Sequence, residues 1–239
     1  SMLLANSNNS FVGNITVAGG VLGFASDGAL GNTANNLYLT GGSLRAYGGG
    51  TITTNREINL LGTTSLEVTA NTTLQLNTAF PTQTTGFTKA DNGTLILNAD
   101  NGMWLGAITI NAGALRISNS NALGSPVGNV TVANNVGAAL QLAGVSISDP
   151  LSLNNTGINS AGALQAVSGN NAVSGLVTLA SAATVGADAG ASLTLSGGLA
   201  GGVALTLAGA GTLNLTGGTL TGTVPTGIVK IGSGLLNVQ

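Results

Sequence analysis

Residues 11–31, FVGNITVAGGVLGFASDGALG, and residues 104–124, WLGAITINAGALRISNSNALG, carry nearly the same order of apolar, polar and glycine positions 93 residues apart. Inside these copies and beyond them run triplets that read apolar, polar, apolar. They are Ile15-Thr16-Val17, Leu37-Tyr38-Leu39 and Ile58-Asn59-Leu60, then Ile108-Thr109-Ile110, Val130-Thr131-Val132 and Leu151-Ser152-Leu153. A period of two puts the outer side chains of each triplet on one face of a strand and the middle one on the other. The steps are 22 and 21 residues in both sets, so each triplet reads as one short strand per turn of a coil. A second series follows a Gly- or Asn-bearing corner: Leu22-Gly23-Phe24, Leu44-Arg45-Ala46, Leu66-Glu67-Val68, Leu115-Arg116-Ile117, Leu140-Gln141-Leu142 and Leu164-Gln165-Ala166.

Two strand series in register predict an all-β fold, a parallel β-solenoid (β-helix) of about ten rungs stacked roughly 4.8 Å apart. Each unit buries its apolar face only against its neighbours. Leu39, Leu60, Val132 and Leu153 close their triplets on the inward side and are expected in the core. Residues 1–239 read as a single solenoid segment, with repeat copies near 11–102 and 104–227 and a third beginning near 228. That third beginning predicts a longer protein.

Composition supports strands and turns. Charged residues make up 5% of the chain and 39 positions are glycine, whereas an ordinary globular domain is about a quarter charged. Arg45, Arg56, Lys89, Arg116 and Lys230 are the basic residues, too dispersed to neutralise a phosphate backbone, so no nucleic-acid partner is expected. Absence of Cys and His removes thiolate and imidazole chemistry and most zinc sites, and no metal or cofactor is expected. Gly, Ser and Thr interrupt every apolar run, and Asp188 lies in the most apolar stretch, which argues against membrane insertion by this segment.

The stretch Lys89 to Gly124 reads as a lysine, a Gly-bearing turn, GTLIL, a loop with an aromatic, LGAITINAGALRI and a closing Ala122-Leu123-Gly124. Part of it returns as KIGSGLLNV at Lys230 to Val238. This order resembles the autotransporter-associated β-strand repeat of secreted bacterial passenger domains. Asp91-Asn92-Gly93 departs from that family's glycine-rich turn. The resemblance implies a right-handed parallel β-helix exported to the bacterial cell surface, with a membrane barrel elsewhere in the full chain. It also implies a stalk or scaffold role, with adhesion or self-association as added functions.

Arg45 and Glu67 occupy equivalent outward positions 22 residues apart, so a cross-rung ion pair is expected. With Gln75, Arg116, Gln141 and Gln165 they could form one polar outward face for a glycan or protein of a host or cell surface; the plainer reading is a solvated exterior ladder. Self-association through the solenoid ends is the other partner expectation. A carbohydrate-binding or carbohydrate-cleaving β-helix is the alternative function, but cleavage needs paired or clustered carboxylates. Asp27, Asp91, Asp100 and Asp149 instead sit in turn-like sequences, so the chain is not expected to be an enzyme. Thr51-Ile52-Thr53, Thr82-Gln83-Thr84 and Thr219-Leu220-Thr221 do not recur at rung spacing, which argues against a lattice-matching ice face. Trp104, aligned with Phe11 in the repeat, is expected to be a loop aromatic covering the coil edge, with a sugar platform as the functional alternative.

Overall fold

The computed structural model describes residues 1–135, 137–216 and 226–239. The Thr219 to Thr221 triplet, with the rest of residues 217–225 of the second repeat copy, lies outside the described residues. The chain is an all-β, right-handed parallel β-solenoid of about ten turns. Its cross-section has three faces, visited in the same order on every turn.

The second face is the longest ladder. It stacks Met2–Leu4, Val21–Phe24, Ser43–Ala46, Ser65–Val68, Phe87–Ala90, Ile108–Ile110, Val130–Val132, Leu151–Asn155, the first part of Val177–Ala187, and Leu199–Ala200. The third face stacks Gly50–Thr54, Thr72–Leu76, Thr94–Leu97, Gly113–Ile117, Ala138–Ala143, Leu164–Ser168, the far part of Val177–Ala187, Ala204–Gly209 and Gly227–Lys230. The first face is built only at the two ends. Ile15–Val17, Leu37–Leu39 and Ile58–Leu60 form it near the N terminus. Ser146–Ile147, Asn170–Val173, Ser192–Leu195, Thr212–Leu215 and Leu235–Val238 form it near the C terminus. Every pairing is parallel; Leu22 stacks on Leu44 and Leu44 on Leu66.

Alternation fixes which side chains enter the core. Leu39, Leu60, Val132 and Leu153 are fully buried, as the triplets require. Between Ile58–Leu60 and Ser146–Ile147 the first face carries loops instead of strands, and two devices compensate. With its amide oriented to suit its neighbours, the Gln83 side chain caps the last strand of this stretch: its N then donates to Leu60 O at 3.1 Å and its Oε1 accepts from Leu60 N at 3.0 Å. Aromatic rings then fill the interior: Trp104 packs against Phe80 and Phe87, with ring centroids 5.2 and 5.7 Å away.

The sequence repeat is out of phase with the coil. Ile15–Val17 lies on the first face, but its repeat equivalent, Ile108–Ile110, pairs with Phe87–Ala90 and Val130–Val132 on the second. Val21–Phe24 lies on the second face and its equivalent, Gly113–Ile117, on the third. The two Ala-Leu-Gly segments follow the same shift. Ala29, Leu30, Ala122 and Leu123 are all buried, and each segment ends on a glycine with positive φ, Gly31 at 75° and Gly124 at 94°. The two strand series expected from spacing are therefore three faces, and a series followed through the repeat moves from one face to the next.

Candidate functional site

Phase decides which polar side chains meet. Arg45 and Glu67 stack on the second face, and Nη2 of Arg45 lies 2.6 Å from Oε2 of Glu67. Asp91, read from sequence as a turn residue, joins them from the following turn, its Oδ2 3.4 Å from Nε of Arg45. Arg45 keeps about a third of its side-chain surface in water, and such pairs contribute about 0.2–1 kcal/mol.

Arg116, Gln141 and Gln165 form a separate ladder on the third face. Nη2 of Arg116 donates to Gln141 Oε1 at 2.8 Å, Gln141 Nε2 to Gln165 Oε1 at 2.9 Å, and Gln165 Nε2 to Asp188 Oδ1 at 2.7 Å. A guanidinium thus closes one end of an amide relay and a carboxylate the other. Both glutamines are buried, and their side-chain hydrogen bonds run along the ladder. Gln75 lies on this face too, two strands before Arg116 with Ile96 between them. The single polar face expected from Arg45, Glu67, Arg116, Gln141 and Gln165 is two faces, because the repeat shift carries the later residues around the rod.

Other strong polar contacts are structural. Arg56 is 3% exposed and grips one loop. Its Nε and Nη2 donate to the two Asp27 carboxylate oxygens at 2.8 and 3.1 Å, and further bonds reach the carbonyls of Gly31, Asn32 and Asn35. Sequence spacing gave no sign of this clamp, because Arg56 and Asp27 are not at a rung interval. Lys89 points inward between Leu66 and Ile110, its Nζ donating to the carbonyls of Ala90, Asp91 and Ala112. Burial pulls its pKa down to about 8, partly opposed by the Asp91 charge. Asp100 is held below the usual carboxylate value by a hydrogen bond from Asn121 and another from the Gly102 amide.

Trp104 corrects an expectation. It is fully buried, and its Nε1 donates to Thr85 O at 3.0 Å, so it fills the interior that the strandless stretch of the first face leaves open. It neither covers the coil edge nor offers a ring to a sugar. Phe11, its repeat partner, is 44% exposed because it lies at the N-terminal end.

The second face carries a feature that the triplets contained but that separate motifs obscured. Ser43, Ser65, Thr88, Thr109, Thr131, Ser152 and Thr178 occupy one outward column on successive turns, all partly exposed. Beside it is a shallow groove of about 230 Å³, lined by Thr63, Thr64, Thr85, Gly86, Phe87, Thr88, Ala107 and Thr109. Its polar groups are threonine hydroxyls and backbone, suited to hydrogen bonding. Among the described residues no group of three or more His, Cys, Asp or Glu could hold a metal ion, and no helix is long and apolar enough to cross a membrane.

No family model matches the chain, and no solved structure matches it. Over 214 residues, 85% of the chain, it is 31% identical to the adhesin BmaC autotransporter of Brucella suis biovar 1 (strain 1330). The chain spans 5% of that relative's length. The β-solenoid is consistent with autotransporter passenger repeats, and the relationship to this adhesin is a homology at low identity.

Proposed function

We propose that this solenoid is a non-enzymatic stalk or scaffold segment of a secreted, surface-exposed autotransporter-like passenger, where it sets the distance between a cell surface and whatever lies beyond. The observation that carries the reading is the unbroken second-face ladder from Met2–Leu4 to Leu199–Ala200. Continuous stacking gives a rod whose length grows with each turn, by about 4.8 Å. The sequence similarity to an autotransporter adhesin supports export and surface display. Adhesion belongs to this proposal as a property of the larger passenger. Self-association through the solenoid ends is also part of it, because any open end of a strand stack offers unpaired backbone groups.

A second reading, a carbohydrate-binding β-helix, is favoured by the hydroxyl column and the threonine-lined groove. A glycan array on the purified segment separates the two. The stalk reading predicts no saturable binding. Saturable binding that disappears in Thr88→Val and Thr109→Val would replace it with the glycan-binding reading.

A further inference from the structure

Between Arg116 and Asp188 the chain carries a single ionisable side chain, Asp149. Asp149 is 2% exposed, and its Oδ1 is buried without a hydrogen-bond partner among the described residues. Alternation from Ile147 to Leu151, both equally buried, turns it to the inner side of the coil. The one local donor is the backbone N–H of Asp149 itself, whose hydrogen bond to the carboxylate only partly offsets burial. Pro150 has no N–H, and the amide of Leu151 donates to Leu176 O.

The neighbouring turns supply nothing in their place. Val130 pairs with Leu151 and Leu151 with Val177, so Gly128 lies below Asp149 and Gly175 above it. A Cβ on Gly175 would collide with the carbonyl of Asp149, and one on Gly128 with the carbonyl of Gly106. The stack therefore has no room there for a donor side chain. Arg116 and Asp188 flank the charge-free stretch in sequence, but they are committed to Gln141 and Gln165 on the third face. No other titratable group lies on the turns packed against Asp149.

We infer that Asp149 is a proton-operated latch: protonated, it keeps the corner of residues 147–151 packed between its neighbouring turns, and ionised, it draws in water and opens that corner. An ionised carboxylate without a partner or water is too costly to stay buried. The corner must yield because the carboxylate has nowhere else to go. Burial pushes the Asp149 pKa up from 3.8 to about 6. The native state thus holds the proton more tightly than the unfolded chain does. Stabilisation by the protonated form is complete below the ordinary carboxylate pKa and is lost as pH rises through about 6. The corner of residues 147–151 is tightest in acid.

Hydrogen–deuterium exchange of the whole chain, corrected for intrinsic rates, tests the latch in the parent, Asp149→Asn and Asp149→Ala at pH 5 and pH 7.5. The parent should lose about tenfold or more protection over residues 145–151 on going to the higher pH, and both variants should hold theirs. Equal parental protection at the two pH values, or the same loss in the variants, would overturn the inference. If neither variant folds, carbon-13 carboxyl NMR of the parent decides. An Asp149 inflection near pH 6 supports the latch, and one below about pH 4.5 refutes it.

Discussion

Lys89 and Lys230 build the same corner on different faces of the rod. The ammonium of Lys89 donates to the carbonyls one and two residues ahead, Ala90 at 2.8 Å and Asp91 at 2.6 Å, and that of Lys230 does so to Ile231 at 3.0 Å and Gly232 at 2.9 Å. Lys89 leads from the second face to the third, and Lys230 from the third to the first. The local sequence dictates the corner. The number of residues between copies dictates where around the rod that corner falls.

Lys89→Met should therefore destabilise the chain by about 2–4 kcal/mol, because it leaves turn carbonyls unpaired in the interior. The pH dependence has a defined sign. The folded pKa of Lys89, about 8, lies below its ordinary 10.5, so between these values the unfolded chain binds the proton more readily. Stability falls as pH drops from 10.5 to 8 and is level below. Urea midpoints of the parent should rise relative to Lys89→Met over that window; parallel curves would remove the buried-amine account.

Two arginines should respond very differently to truncation. Arg45→Ala removes a part-exposed pair with Glu67 and should change stability by less than about 1 kcal/mol. Arg56→Ala strands the Asp27 carboxylate and four loop carbonyls around a buried site and should cost about 3–5 kcal/mol. Denaturant titration of both variants checks the contrast, and similar losses would contradict it.

Trp104 is the single tryptophan, which makes its burial directly visible. Its fluorescence should be blue-shifted and resist acrylamide, becoming red-shifted and quenchable in urea. Trp104→Ala should cost about 3–5 kcal/mol, since Phe80 and Phe87 would line a cavity. Red-shifted, freely quenched native emission would return Trp104 to the surface.

Leu60 lies on the first-face column above Leu39 and is fully buried. Leu60→Asp puts an unpaired carboxylate between turns and should abolish the β-sheet dichroism of the soluble fraction. Leu60→Ala should still fold, weakened by about 2–5 kcal/mol. A soluble Leu60→Asp protein with parental dichroism would mean that Leu60 faces outward.

Much of the fold was legible in the triplets because period-two alternation is local: Leu39, Leu60, Val132 and Leu153 are all core residues, and Arg45 meets Glu67. The third face was less visible. Thr51-Ile52-Thr53, weighed as part of a surface array, lies within the strand Gly50–Thr54 of that face, with Ile52 buried. The face shift could not be read from matching residues, because it depends on how many residues each corner consumes. For the same reason, Asp91 and Asp188 were not linked to Arg45 and Gln165, and Trp104 was assigned to an edge.

The stacking order itself is the central claim, and a spin-label distance tests it most directly. The chain has no cysteine, so Ser43→Cys and Thr178→Cys introduce the only labelling sites, both outward on the second face. Six ladder steps separate them, through Ser65, Thr88, Thr109, Thr131 and Ser152, which at about 4.8 Å per step predicts a narrow distribution near 29 Å. A broad distribution, or a distance far from that value, would contradict the continuous second-face ladder.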